Sequence, residues 1–172
     1  MNKNGQLGLG HSLNRRQPTE IENVAFPIIS VGCGDTYSFI VTNDEILLFG
    51  NDSPVRISVD FSCVEGRIIQ VSCRHKTILF LSDAGKIYHF MIEKKKLYPS
   101  TRVNDELVHV ACGEAHFIGA SKTGKVYTWG SNNNWGKLGH DTSESPLVTT
   151  LASVFAIQVD AGSNHSFALT RE

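Results

Sequence analysis

Short apolar runs punctuated by glycine, asparagine and aspartate recur along the chain, and no stretch holds a convincing helical period. Ile69-Gln70-Val71-Ser72-Cys73 alternates apolar and polar residues and ends in small ones, the pattern of a half-buried strand. A second strand follows at once in Ser38-Phe39-Ile40-Val41 and in Ser166-Phe167-Ala168-Leu169. Ser82-Asp83-Ala84-Gly85-Lys86 and Ser121-Lys122-Thr123-Gly124-Lys125 read as hairpins, with Gly85 and Gly124 where a positive φ is needed. Ile87-Tyr88-His89-Phe90 and Val126-Tyr127-Thr128-Trp129 supply a third strand. Pro18-Thr19-Glu20-Ile21 and Pro146-Leu147-Val148 suggest a fourth, at an edge where proline is tolerated.

The same sentence is written four times, beginning at Ile29, Ile69, Val108 and Ile157. Its equivalent valines, Val31, Val71, Val110 and Val159, are spaced by 40, 39 and 49 residues. That period signals a propeller or solenoid, whose units bury their apolar faces only against neighbours. Four antiparallel strands per unit make a propeller blade. The expected fold is therefore all-β, a single partial propeller domain over 1–172. Its approximate repeats are 18–50, 54–90, 99–130 and 146–172, with glycine-rich connections at 1–17 and 131–145. Gly5-Gln6-Leu7-Gly8 and Gly136-Lys137-Leu138-Gly139 then read as recurring turns. A phosphate loop would need G-x-x-x-x-G-K-[ST] between a strand and a helix.

Three motifs identify a family resemblance. V-x-C-G-x-x-H-(S)-x-x-L-T carries Gly34, Gly113, Gly162, His116 and His165; G-x-V-Y-T-W-G carries Gly124, Trp129 and Gly130, with Gly50 its counterpart in repeat one. N-x-x-G-Q-L-G carries Gly5, Leu7 and Gly8, and again Gly136, Leu138 and Gly139. Together they resemble the repeats of the regulator of chromosome condensation, the exchange factor for the GTPase Ran, and its relatives. Repeat two departs from the pattern: Arg74-His75 replaces Gly-x, Phe90-Met91 replaces Trp-Gly, and 91–100 replaces the Gly-Gln-Leu-Gly connection. Repeat one carries Tyr37 at the histidine position.

The resemblance implies a ring of seven blades, which at roughly 40–50 residues each needs about twice this length. The chain holds about three and a half repeats. It reads as a fragment, as an isoform lacking the other half, as an arc completed by a partner, or as half of a two-fold ring. An open arc has sticky edges, so a second copy or a missing half-propeller is an expected partner.

Composition narrows the chemistry. Net charge is −1 and 41% of the 172 residues are hydrophobic, ordinary for a globular domain. No dense basic stripe marks direct nucleic-acid binding, and no long apolar segment marks a membrane span or a leader. Intracellular residence, cytoplasmic or nuclear, is the expectation. His116 and His165 share their repeat position with Tyr37 and Thr77, which argues against catalysis or metal ligation and for a hydrogen bond inside each blade. His11, His75, His89, His109 and His140 lack companion carboxylates in sequence. Cys33, Cys73 and Cys112 are equivalent to Ala161 and read as small groups on the innermost strand. Cys63 lies outside the repeat signature. Asp35, Asp83 and Glu114 are turn acids on different repeats, and nothing pairs two carboxylates for acid–base work. No enzyme, cofactor or metal is expected.

Function must come from sites rather than fold. The repeats differ most in four expected rim loops, Asn51–Arg56, Ile92–Tyr98, Asn132–Lys137 and His140–Ser145, and such loops carry function. They offer Asp52, Arg56, Lys94, Lys95, Lys96, Asn134, Trp135, Lys137 and Asp141 as candidate partner-binding residues; Trp135 reads by default as packed onto the adjacent blade, and as an aromatic anchor if it is exposed. The leading reading is a non-catalytic protein-interaction module. The resemblance implies a small GTPase or a regulatory protein as partner. The alternatives are guanine-nucleotide exchange on a Ran- or Rab-type GTPase, and a purely structural half-propeller.

Overall fold

The computed structural model describes residues 1–75, 77–92, 94–130, 133, 135–140 and 149–170. Blade 1 consists of β1 (Ile28–Cys33), β2 (Tyr37–Thr42), β3 (Ile46–Gly50) and β4 (Ser53–Ser58), hydrogen-bonded in that order. Blade 2 repeats the meander with β5 (Ile68–Arg74), β6 (Thr77–Ser82), β7 (Ile87–Met91) and β8 (Lys96–Pro99). Blade 3 holds β9 (Leu107–Cys112), β10 (His116–Ser121), β11 (Lys125–Gly130) and the first half of β12 (Thr149–Ala161). The second half of β12 leaves blade 3 and pairs with β13 (Ser166–Thr170), opening blade 4. All pairings within the sheets are antiparallel.

Side chains of adjacent blades interdigitate. Phe39, Val41, Ile46 and Leu48 of blade 1 meet Val71, Ile78, Phe80 and Phe90 of blade 2. The rings of Phe39, Phe80 and Phe90 pack edge to face, with centroids 5.2–6.3 Å apart, each such pair contributing about 0.5–1.5 kcal/mol beyond area burial. Leu79, Leu81 and Ile87 of blade 2 then pack on Val110, Cys112 and Trp129 of blade 3. Ile118, Ala120 and Val126 of blade 3 close on Ala156 and Val159 of blade 4.

Two turn types explain the glycine punctuation. Gly85 and Gly124 close the second-to-third-strand hairpins at φ 72° and 85°, a region L side chains reach at a cost. The N-x-x-G-[Q/K]-L-G connection is folded around its asparagine. The Asn2 Oδ1 accepts the Leu7 N–H at 2.8 Å, its Nδ2 donates to the carbonyls of His11 and Leu13, and its own carbonyl accepts the Gly5 N–H. Asn133 repeats this with Leu138, His140 and Gly136. Leu138 is fully buried, whereas Leu7, with no preceding blade against it among the described residues, is partly exposed.

Three expectations are corrected. Pro18-Thr19-Glu20-Ile21 forms no strand: an outer strand bonds to the third strand of its own blade, and among the described residues none stands beside 18–21. Residues 18–27 instead cross blade 1, where Ile21 and Val24 cover Ile40, Leu47 and Phe49. The expected loops Asn51–Arg56 and Ile92–Tyr98 shrink to hairpin turns, because Arg56 lies in β4 and Lys96 and Tyr98 in β8. The expected strand Pro146-Leu147-Val148 and the loop His140–Ser145, apart from His140, lie outside the described residues.

The third correction concerns the hydrogen bonds at the histidine position, which run between blades. Tyr37 Oη donates to the His75 carbonyl at 2.7 Å, Thr77 Oγ1 lies 2.7 Å from the Gly113 carbonyl as well as 2.7 Å from the Arg74 carbonyl of its own blade, and His116 Nε2 meets Ser166 Oγ at 3.0 Å. Each residue therefore ties its own blade to the next one.

Candidate functional site

In an antiparallel meander, the first-to-second-strand turns and the third-to-fourth-strand connections leave from the same end of the blade. The Asn51 N–H donating to the Thr36 carbonyl at 2.9 Å shows the two loop types in contact. The first strands of successive blades lie side by side, so their turns converge on the inner side of the arc. There Asp35, Arg74, His75, Glu114 and Ser163 line a cleft of about 320 Å³.

Repeat two makes this cleft unusual. Gly34, Gly113 and Gly162 sit beneath the rings of Tyr37, His116 and His165, where a Cβ would overlap the ring. Thr77 supplies no ring, so position 74 can carry a side chain, and Arg74 reaches across the arc to donate to Ser163 Oγ at 2.7 Å. His75 Nδ1 lies 2.6 Å from Asp35 Oδ2. The expectation that His75 has no carboxylate companion is thereby overturned, since its partner lies one blade away and 40 residues earlier. Local spacing could not have shown this, although the loss of glycine at 74 marked the place.

The candidate partner residues divide. Asp52 accepts from Asn4 Nδ2 and Arg56 donates to the Asn23 carbonyl, so both staple the N-terminal segment to blade 1. Lys96 pairs with Asp60 at 3.2 Å, and Lys94 Nζ stands 5.6 Å from the centre of the Tyr98 ring. Lys95 occupies a positive-φ turn position at 51°. Lys137 is buried against the blade 3–blade 4 junction, its carbonyl accepting from Ser166 Oγ. Trp135 stands out at 76% exposed. Asn134 and Asp141 lie outside the described residues. At the opposite end of the blades, charges are neutralised in pairs: Arg67 with Asp83, Lys122 with Glu106, and Lys125 with Asp105.

Burial disfavours the charged forms of two interior cysteines and three histidines. Burial pushes the Cys112 thiol up to about 12 and raises Cys73 as well, so neither is a ready thiolate. Burial, assisted by the Lys137 ammonium, holds His116 down to about 4; burial also lowers His89 and His109. A depressed histidine protonates first in the unfolded chain. His116 is therefore expected to reduce stability as pH falls from 6.5 toward about 4, with no further loss below. Thermal melts across that window should show Tm falling with pH, and His116→Asn should flatten the slope. An unchanged slope in the variant would remove His116 as the cause.

Comparison with known proteins now bears on this geometry. The family model described as the regulator of chromosome condensation (RCC1) repeat matches residues 1–41 and 123–169, just over half of the chain. A second model of the same description matches 107–134. The chain belongs to the RCC1 repeat family.

The human E3 ubiquitin-protein ligase HERC2 is 26% identical over 98% of the chain, which spans 4% of that ligase. Among solved structures, human WBSCR16 shares the fold with a TM-score of 0.86 at 19% identity, over 99% of this chain and 52% of its own. Saccharomyces cerevisiae Prp20p follows with a TM-score of 0.74 at 14% identity, over 97% and 50%. The RCC1 repeats described here thus form a partial β-propeller, spanning about half the length of these solved propellers. Among the described residues no helix is long and apolar enough to cross a membrane.

Proposed function

We propose that this RCC1-repeat arc is a non-catalytic protein-interaction module. It binds its partner with the end of the blades that carries the first-to-second-strand turns and the third-to-fourth-strand connections. The observation that carries the reading is Trp135, an indole 76% exposed at that end, where exposed aromatics serve as binding anchors. The inner cleft adds Asp35, Arg74, His75 and Glu114 as polar specificity groups.

The partner class is a small GTPase or a regulatory protein inside the cell. Prp20p, which shares the fold, has binding properties to Gsp1p and histones, and that supports a protein ligand. The ligase activity in HERC2's name is that of a much longer protein. Titrating Ran- and Rab-type GTPases, nucleotide-free and loaded, against the chain tests the reading. Trp135→Ala is expected to weaken binding about tenfold or more, while Lys122→Ala at the opposite end leaves it unchanged. Equal affinity for both variants would move the site elsewhere, and absence of any complex would remove the GTPase. Following release of a fluorescent nucleotide in the same titration separates simple binding from exchange, since only an exchange factor accelerates it.

A further inference from the structure

The junctions between blades differ at two facing positions, one on the third strand of the earlier blade and one on the second strand of the later. Between blades 3 and 4 both carry hydroxyls. Thr128 Oγ1 donates to the Leu138 carbonyl and Ser166 Oγ to the Lys137 carbonyl, each at 2.8 Å, so the turn at 136–139 lies across the seam. Between blades 1 and 2 the positions hold Leu48 and Ile78, 1% and 4% exposed, and this aliphatic pair closes the seam by itself. Between blades 2 and 3 they hold His89 and Phe117, whose rings meet edge to face with centroids 5.5 Å apart and stay half-buried. The β7–β8 turn does not lie over them as the turn at 136–139 does over its own seam: it closes tightly, with Met91 paired to Lys96.

The groups around the two rings decide what could cover them. Phe90 packs toward blade 1, so His89 and Met91, its neighbours along β7, face blade 3. Their partners across the ladder, Tyr98 and Lys96, stand on the same face. Met91 is exposed, an apolar side chain where blades 1 and 3 carry Gly50 and Gly130. The rim is basic. Lys94 Nζ stands over the Tyr98 ring, Lys96 lies beside it, and Arg102 joins burial in keeping the His89 imidazole neutral. Asp60 pairs with Lys96 at 3.2 Å, while among the described residues no ion pair engages Lys94.

We propose that the seam between blades 2 and 3 docks an acidic segment of a partner protein through one aliphatic side chain. This rests on reading the arc as an interaction module and names the feature of the partner that blade 2 recognises. Two hydroxyls suit backbone carbonyls, as they do between blades 3 and 4. Two rings beside a methionine suit an aliphatic side chain instead, and methionine adapts its shape to what it holds. Carboxylates flanking that side chain meet Lys94, Lys96 and Arg102, whereas a basic segment would meet like charge and be rejected.

The probe is a fluorescein-labelled peptide with one leucine between runs of glutamate, its anisotropy followed as the chain is added. Binding is expected, weakening as salt rises, and the same peptide with lysines for glutamates should not bind. Met91→Ser should weaken binding about tenfold and Lys94→Glu about fivefold, with thermal melts unchanged because both positions are exposed. Lys122→Ala should bind as the wild type does. Replacing the leucine by glycine should weaken binding to the wild-type chain but not to Met91→Ser, which has already lost the contact. No binding of the acidic peptide, equal binding of the lysine peptide, or an unaffected Met91→Ser would each overturn the proposal. The GTPase titration judges the module separately. A complex that needs Trp135, with no acidic peptide bound, would strike the seam alone; peptide binding that follows the variants without any GTPase complex would support the seam and remove only the GTPase.

Discussion

Alanine at Gly130 is expected to destabilise the chain by about 3 kcal/mol or more. Gly130 has φ 140°, and a Cβ there would lie 2.5 Å from both the Ala115 carbonyl oxygen and His116 Cα. Both obstacles are backbone, so no side-chain rotation relieves them. The Gly130 position pairs directly with His116, the residue that ties blade 3 to Ser166, and the clash therefore falls on an inter-blade tether. Gly50 is the same site in blade 1, with φ 92°, pairing with Tyr37 and with Tyr37 Cα 2.9 Å from its would-be Cβ. Blade 2 shows the alternative: with Met91 in place of glycine, the β6–β7 ladder ends at Leu79↔His89. Urea unfolding followed by circular dichroism measures the effect. Gly136→Ala is the control, since Gly136 has φ 66° but nothing within 4 Å of its would-be Cβ; only the left-handed strain of about 1–2 kcal/mol applies there. Equal losses in the two variants would show that strain, not the backbone clash, is what glycine relieves at position 130.

The fold was legible because a repeat averages away local ambiguity. Val31, Val71, Val110 and Val159 fix the phase of four units, so a degenerate stretch in one unit is read through its neighbours. What stayed hidden depended on contacts between units. The tethers from Tyr37, Thr77 and His116 look interchangeable in sequence because each requires only a hydrogen-bonding group long enough to reach the next blade. Likewise Arg74 and Thr77 appear as two separate losses of the motif. In space they are one change: glycine at the first position makes room for a ring at the second, and removing the ring frees the first position for a side chain.

The candidate site was less legible than the fold. Divergence among the repeats suggested Asp52, Arg56 and Lys137 as partner-binding groups, but each is engaged by its own chain. Trp135, for which packing onto the adjacent blade is the default expectation, is instead exposed. The cleft of Asp35, Arg74, His75, Glu114 and Ser163 assembles from all four repeats, so no local window of sequence contains it. Repeat alignment places all five on equivalent turns, and superimposing the turns around an axis is the step that would have gathered them.

Truncating Trp129 to alanine is expected to cost about 3–5 kcal/mol. The indole is 1% exposed and stacks on Phe117 with centroids 5.5 Å apart and planes 22° from parallel. It packs in the cluster that joins blade 3 to Leu79, Leu81 and Ile87 of blade 2. Its removal thus opens a cavity at an inter-blade seam, where the neighbouring sheets are held by their own ladders and cannot collapse inward. Phenylalanine should cost far less, about 1–2 kcal/mol. Phe49 and Phe90 fill the equivalent positions in blades 1 and 2, and the indole N–H has no acceptor among the described residues, so the substitution sacrifices no hydrogen bond there. The residual loss has a named source: opposite the indole the chain carries Gly119, whose would-be Cβ lies 3.5 Å from Trp129 Cη2, whereas the matching positions are Ile40 and Phe80. The larger ring and the missing side chain compensate each other. Gly119→Ala added to Trp129→Phe should therefore recover part of the loss in urea unfolding, after a small shift of Leu107, whose Cδ1 is 2.9 Å from that Cβ. Strict additivity of the two substitutions would show that the ring and the glycine are not packing partners, and that the tryptophan of the repeat is required for something other than filling the seam.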